Sequence, residues 1–118
     1  MTPLLRYVVL SHSNIDEPHF DLLFETLPGS MLATWRSKNW PIEQRVAVTR
    51  LRDHRRIYLD YEGELPGQRG IVQRIAEGTC EVEIGAQSRW AIKLLAGAPP
   101  QKLLFRQVDG DRWECEPQ

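Results

Sequence analysis

The chain has 118 residues and a formal net charge of −1, with 42% hydrophobic and 26% charged residues, a balance typical of a folded domain and not of a disordered segment. This length predicts one domain over residues 1–118. The longest apolar runs fall far short of the roughly 20 residues that span a bilayer, and the N-terminus lacks the pattern of a signal peptide. We therefore expect a cytoplasmic protein without a membrane partner.

In chain order, the first predicted elements are short strands separated by turns. Residues 6–12 are rich in β-branched residues, and residues 19–27 alternate between polar and apolar side chains. Asp53 is a candidate N-cap for one helical turn, in which His54 and Tyr58 would share a face. Further strands are expected at residues 31–35, 45–52, 70–78, 79–85, 89–97, 101–110 and 111–117.

The spacing of these elements predicts the fold class. Asp109 and Gly110 form a two-residue hairpin signal between the last two strands, and residues 96–100 are expected to form a loop. About eight short strands, with turn signals every 8 to 12 residues, indicate a mainly β protein. We expect a small closed β-barrel with one or two short helical turns.

The alternating stretch "HFDLLFE" places His19 and Asp21 on the polar face of the second strand, and His12 ends the first strand. If these strands pair as antiparallel neighbours, His12 lies near the other two side chains. Two imidazoles and a carboxylate suit Zn²⁺, Mn²⁺, Co²⁺ or Fe²⁺ and leave coordination positions open for water and substrate. A surface histidine–aspartate pair is the simpler alternative. Glu25, on the same face, is expected to be structural and to pair with an arginine.

Residues 36–56 form a basic strip, in which seven basic side chains face two acidic ones. Such a strip attracts phosphate groups even on a protein of nearly neutral net charge. A solvated surface without a partner is the alternative interpretation.

Several short motifs occur in an order that resembles a known family. After His12, the chain shows "HFDLLFE", "RVAV", "DHRRIY", "DYEG" and "ELPGQRG". This order is similar to that of the 3′-phosphoesterase domain of bacterial DNA ligase D proteins. The resemblance covers about residues 6–75, and residues 103–114 look like the closing hairpin of that family.

The resemblance implies a role for each matching residue. His12, His19 and Asp21 match the metal ligands, which would hold a divalent ion, most often Mn²⁺, with Zn²⁺ or Co²⁺ as alternatives. His54 and Tyr58 match the catalytic pair that contacts the phosphate at a DNA 3′ end. Arg45 matches an arginine that helps to hold this phosphate.

The implied function is metal-dependent removal of a 3′-phosphate or a 3′-terminal ribonucleotide from DNA during repair. The substrates would be DNA 3′ ends on a primer–template or a nicked duplex. A ligase or polymerase acting in trans would be the expected protein partner.

The chain also departs from the family pattern. Leu23 stands where the family has an arginine, the interval from His12 to His19 is one residue longer, and Arg69 replaces an aromatic residue. Losing a preorganised cation costs on the order of 2.7 to 4 kcal/mol of transition-state stabilisation. An arginine restored at position 23 is expected to raise activity if the pocket is otherwise intact, and Arg69 is a candidate substitute for the missing charge.

Two alternative functions follow. The first is a catalytically weak or inactive nucleic-acid-binding module of the same fold, which Leu23 and the altered spacing favour. The second is a small metal-dependent, cupin-like oxygenase, because two histidines and an aspartate also bind iron. The ordered motifs argue against the oxygenase, since that function would not require them.

Overall fold

The computed structural model describes residues 3–86, 88–96 and 101–118 and confirms a mainly β protein. The described residues form nine antiparallel strands, of which eight close into a barrel where β1 pairs with β6, while the short β5 extends the sheet beside β6. The strands are β1 (Leu5–Ser13), β2 (His19–Glu25), β3 (Leu32–Ser37), β4 (Val46–His54), β5 (Gly63–Glu64), β6 (Ile71–Gly85), β7 (Arg89–Ala96), β8 (Gln101–Asp109) and β9 (Arg112–Pro117).

Around the barrel the strand order is β1, β2, β3, β4, β9, β8, β7, β6. One 3₁₀ turn, Arg56–Leu59, follows β4. The hairpin predicted at Asp109 and Gly110 joins β8 to β9, as expected. Residues 97–100 of the predicted loop lie outside the described residues, and Ala96 is the last residue of β7. No helix within the described part of the chain is long and apolar enough to cross a membrane.

β6 differs from the sequence-based prediction of two separate strands. It is one strand of 15 residues, whose first part pairs with β1 and whose last part pairs with β7. Gly78 lies opposite Tyr7 and Thr79 lies opposite Arg6, so partners continue on both sides of the predicted break. Pairing with β1 therefore keeps the chain extended at Gly78, although a glycine at this position of the sequence suggests the end of a strand.

The start of the helical turn also differs from the prediction. Asp53 lies within β4, which continues to His54 opposite Leu32 on β3. Asp53 pairs with Arg50 at 3.4 Å, and Arg55 occupies the cap position without a side-chain capping bond. Strand pairing thus extends through the residues that suggested a helix N-cap.

The barrel interior is an aromatic core. Trp35 stacks on Phe105 with ring centroids 4.2 Å apart, and it forms T-shaped pairs with Trp90 and Trp113. Both cysteines, Cys80 and Cys115, are free and buried. Burial raises the pKa of each thiol to about 12, so neither is poised for chemistry.

A second apolar cluster lies on the outer face of β1, β2 and β3, and we call it the outer cluster. Alternation along β1 explains why two clusters form, because Tyr7 and Val9 point into the barrel while Val8 and Leu10 point outward. The segment after β4 covers this face. The outer cluster consists of Val8, Leu10, Leu23, Leu32, Leu59 and Val72, with Tyr58, Tyr61 and Leu65 packed against it.

Candidate metal centre and adjoining cleft

The three predicted ligand residues converge on the outer face of the β1–β2 hairpin. The strands pair as antiparallel neighbours, with His12 opposite His19 and Leu10 opposite Asp21. One potential ligand atom from each of His12, His19 and Asp21 lies within 4.8 Å of the others. The strand pairing on which this ligand set depended is therefore present, and these residues form what we call the metal-ligand cluster.

Asp21 lies between the two imidazoles. Its Oδ1 is 3.4 Å from His19 Nε2, and its Oδ2 is 3.8 Å from His12 Nδ1. All three side chains are largely removed from solvent, with exposed fractions of 14% for His12, 5% for His19 and 7% for Asp21. The carboxylate is therefore shared between two nitrogens in a poorly solvated position.

Backbone carbonyls determine which nitrogen of each imidazole carries the proton. His12 Nε2 lies 2.7 Å from the carbonyl oxygen of Arg69, and His19 Nδ1 lies 2.9 Å from that of Glu17. A carbonyl oxygen only accepts, so these two nitrogens donate. In the neutral rings, His12 Nδ1 and His19 Nε2 then carry lone pairs and face Asp21. Metal-binding histidines are typically oriented in this way, by a hydrogen bond from the ring nitrogen that does not bind the metal.

The cluster leaves buried polar atoms without partners. His19 Nε2 and Asp21 Oδ1 are inaccessible and make no hydrogen bond among the described residues. Buried polar atoms are nearly always satisfied, because leaving one unpaired costs about 1 to 3 kcal/mol. A divalent cation between the lone pairs and the carboxylate would satisfy both atoms, so the donor set fits a metal. Two nitrogens and one carboxylate bind several first-row metals, so the geometry does not identify which metal ion would bind.

The loop between β5 and β6 closes one side of the cluster. Gly70 has φ +94°, and a Cβ at this position would lie 2.6 Å from the Ser13 carbonyl oxygen and 2.9 Å from His12 Nε2. Only glycine therefore lets the Arg69 carbonyl reach His12. Arg69 acts here through its backbone, while its guanidinium donates to the Pro66 carbonyl.

Arg36 is a site residue that the sequence analysis did not single out. It lies opposite Asp21 on β3, with Nε 4.0 Å from Asp21 Oδ1. From the sequence, only the pairing register of β2 and β3 could have placed Arg36 beside Asp21. Their connection is longer than a two-residue turn, so the turn type alone does not set that register.

A cleft of about 430 Å³ adjoins the cluster, and we call it the basic cleft. His19 and Arg36 both line it, and Lys38 and Arg112 add two further cations against Glu17. An anion in this cleft would meet a positive surface beside the metal-ligand cluster. The residues that line the cleft are Glu17, Pro18, His19, Arg36, Lys38, Ala47, Val48, Thr49, Arg112 and Trp113.

The basic strip predicted from the sequence does not form one continuous surface. Arg50 turns inward between two tryptophan rings, 4.4 and 5.0 Å from their centroids. Arg45 pairs with Glu116 on β9, with Nε 3.3 Å from Oε2. Of the strip's cations, Arg36 and Lys38 line the basic cleft. Arg45, the predicted phosphate-binding residue, is therefore ion-paired with Glu116.

His54 and Tyr58 form a second group. Their ring centroids are 5.8 Å apart, as a shared face predicts, and His54 Nδ1 lies 2.9 Å from the Arg52 carbonyl oxygen. His54 pairs with Leu32, which lies opposite Glu25 at the far end of β2. Glu25 lies four positions after Asp21, about 13 Å along a strand. The structure thus brings the three predicted metal ligands together and the predicted catalytic pair together, but it places the two groups at different positions along β2.

Leu23 occupies an apolar environment. Its side chain is fully buried in the outer cluster, on the face of β2 that also carries Asp21. The segment after β4 covers it, so this position offers no charge and no access to an anion.

Glu25 confirms its predicted structural role. Its Oε2 lies 2.6 Å from Arg56 Nη1, and it accepts hydrogen bonds from the backbone amides of Arg6 and Gly29. Burial would raise its pKa, but these partners outweigh burial and hold the pKa below its ordinary value. The ion pair ties the 3₁₀ turn to the end of β2.

No protein-family model matches this chain, and no curated protein sequence matches it. The functional interpretation therefore depends on the residues of the site and their geometry.

Proposed function

We propose that this protein is a metal-dependent phosphoesterase that processes DNA 3′ ends, similar to the 3′-phosphoesterase domain of DNA ligase D. It would remove a 3′-phosphate or a 3′-terminal ribonucleotide during repair. The observation that carries the proposal is the metal-ligand cluster, in which two imidazole lone pairs face one partly unsatisfied carboxylate. The basic cleft beside it suits a substrate that carries negative charge.

The metal-ligand cluster would hold the ion through His12 Nδ1, His19 Nε2 and Asp21. When bound, a divalent ion supplies charge stabilisation at phosphoryl oxygens and lowers the pKa of a coordinated water. The carbonyls of Arg69 and Glu17 keep both imidazoles oriented with their lone pairs inward. Mn²⁺ is the proposed ion, and Zn²⁺ or Co²⁺ are the alternatives.

His54 and Tyr58 are the proposed catalytic pair at the phosphate. They lie beside the Glu25 end of β2, so they would have to move toward Asp21 for one phosphate to contact both groups. Because His54 donates from Nδ1 to the Arg52 carbonyl, its Nε2 is available to hold a proton for a leaving oxygen. The Tyr58 hydroxyl would donate a hydrogen bond to the phosphate. Arg45 would add a cation only after exchanging its present partner, Glu116, for the substrate.

The proposed substrates are primer–templates or nicked duplexes, and a ligase or polymerase acting in trans would use the 3′-hydroxyl product. The cytoplasm is the proposed location. A second candidate function is a nucleic-acid-binding module without catalysis. The burial of Leu23 favours it, because β2 lacks the cation expected two residues after Asp21.

The experiment that tests the proposal is single-turnover hydrolysis of a 3′-phosphate on a primer–template. The native chain is compared with His19→Ala and His54→Ala, each with and without Mn²⁺. We expect Mn²⁺-dependent release in the native chain and a loss of at least about a hundredfold in both variants. Arg89→Met, on β7 across the barrel, is the control and should release phosphate at the native rate.

Mn²⁺ binding without release would contradict the phosphoesterase and support the binding module. Iron-dependent consumption of O₂ without phosphate release would instead support the oxygenase, because the same donor set also suits Fe²⁺.

A further inference from the structure

We propose that Arg36 contacts the phosphate group of the substrate beside the metal-ligand cluster, so that the anion-binding cation of this site comes from β3. The inference rests on the proposed function, since it specifies how the same site holds its substrate. It assigns a substrate contact to a residue that the sequence motifs leave out.

Arg36 is near the cluster but is not bound by it. Its Nε lies 4.0 Å from Asp21 Oδ1, which is longer than a hydrogen bond. The side chain of Arg36 is 46% exposed, whereas that of Asp21 is 7% exposed. The guanidinium therefore reaches from the buried carboxylate toward solvent and keeps donors available for a second partner.

The metal-ligand cluster adjoins the basic cleft on the side where Arg36 lies. On the opposite side, the Arg69 carbonyl is hydrogen-bonded to His12, and Gly70 is packed against the same ring. His19 and Arg36 both line the basic cleft. A phosphate that approaches through this cleft would therefore meet Arg36 as it reaches the cluster.

The chemistry of arginine suits this position. A guanidinium presents a planar fork of donors that matches two phosphate oxygens, and such charge-assisted bonds are about twice as strong as neutral ones. Arg36 also supplies a cation beside Asp21, whereas Leu23, buried in the outer cluster, supplies none. Lys38 and Arg112 lie further along the cleft and would attract the flanking nucleic-acid backbone.

A structural role is the competing explanation, in which Arg36 merely offsets the charge of Asp21. The two explanations differ in what a neutral substitution changes. A structural role predicts altered Mn²⁺ binding or altered folding. A substrate contact predicts an unchanged fold, Mn²⁺ binding at least as tight as native, and weaker recognition of a 3′-phosphate.

The test measures binding of two primer–templates that differ only at the primer end, one with a non-hydrolysable 3′-phosphonate and one with a 3′-hydroxyl. Fluorescence anisotropy with Mn²⁺ gives both dissociation constants for the native chain, Arg36→Met, Arg36→Lys and the control Arg89→Met. We expect the native preference for the phosphonate to fall about tenfold or more in Arg36→Met, to survive partly in Arg36→Lys and to be unchanged in Arg89→Met. Calorimetry gives the Mn²⁺ affinity of each variant in parallel.

An unchanged preference in Arg36→Met would overturn the inference, as would loss of Mn²⁺ binding together with the preference. Release of 3′-phosphate at an unchanged kcat/KM in Arg36→Met would overturn it while leaving the proposed function intact. A native chain that hydrolyses nothing, yet prefers the phosphonate in an Arg36-dependent way, would support the inference and contradict the phosphoesterase.

Discussion

At the scale of single residues, Asp21 and Glu25 lie on one face of β2 but have different surroundings, which give them different roles. Glu25 is buried and fully partnered, by Arg56 and by the backbone amides of Arg6 and Gly29, and its pKa is lowered. Asp21 is equally buried, but its Oδ1 has no hydrogen-bond partner among the described residues. The first carboxylate stabilises the fold, and the second is available to a cation.

Leu23, between these two carboxylates, yields a prediction that reverses the expectation from the sequence. Leu23→Arg would bury a charge in the outer cluster, so we expect a loss of about 2 to 4 kcal/mol in the free energy of unfolding and no gain in phosphoesterase activity. Urea denaturation and a hydrolysis assay measure the two effects. Leu27→Arg is the matched control, because Leu27 is 66% exposed and should tolerate the charge. Higher activity at unchanged stability in Leu23→Arg would contradict this explanation.

At the scale of elements, the site depends on the register of the β1–β2 hairpin and on the loop that supports it. Alternation in "HFDLLFE" was enough to predict which residues of β2 share a face, because side-chain direction in a strand repeats every two residues. The loop's contribution was not predictable from that pattern. It depends on a backbone carbonyl, that of Arg69, whose position follows from the path of the chain and not from its side chain.

Gly70→Ala tests this support. The added Cβ would meet the Ser13 carbonyl and His12 Nε2, so the Arg69 carbonyl would move away from the ring. Losing a group that hydrogen-bonds to a metal-binding histidine typically lowers metal affinity by about 10- to 100-fold. We therefore expect the Mn²⁺ affinity of Gly70→Ala to fall by about that factor, while the barrel stays folded. Circular dichroism and calorimetry measure both properties.

Gly29→Ala is the matched control for this substitution. Gly29 also has a positive φ, +84°, but a Cβ there would meet nothing within 4 Å. Its backbone strain should therefore resemble that of Gly70→Ala without the contact at the cluster. Equal loss of Mn²⁺ affinity in both variants would show that strain, and not the Arg69 carbonyl, is responsible.

At the scale of the whole molecule, local patterns predicted more of the barrel than of the cleft. Strand spacing and hairpin signals were enough for a closed, mainly β fold, whereas the continuity of β6 depends on pairing with β1. The basic cleft draws on β2, β3, β4 and β9, so its composition depends on contacts between distant segments. Arg36 and Arg112, far apart in the chain, line the same cleft only because β4 and β9 are neighbours.

The metal centre is the central claim, and Mn²⁺ titration by calorimetry tests it most directly. The account predicts one bound equivalent in the native chain and no binding in Asp21→Asn, which keeps the shape of the side chain but removes its charge. Native protein at a free Mn²⁺ concentration 100-fold above its dissociation constant should also gain about 2.7 kcal/mol in the free energy of unfolding, and the variant should gain nothing. Absence of binding in the native chain, or equal binding by Asp21→Asn, would contradict the account.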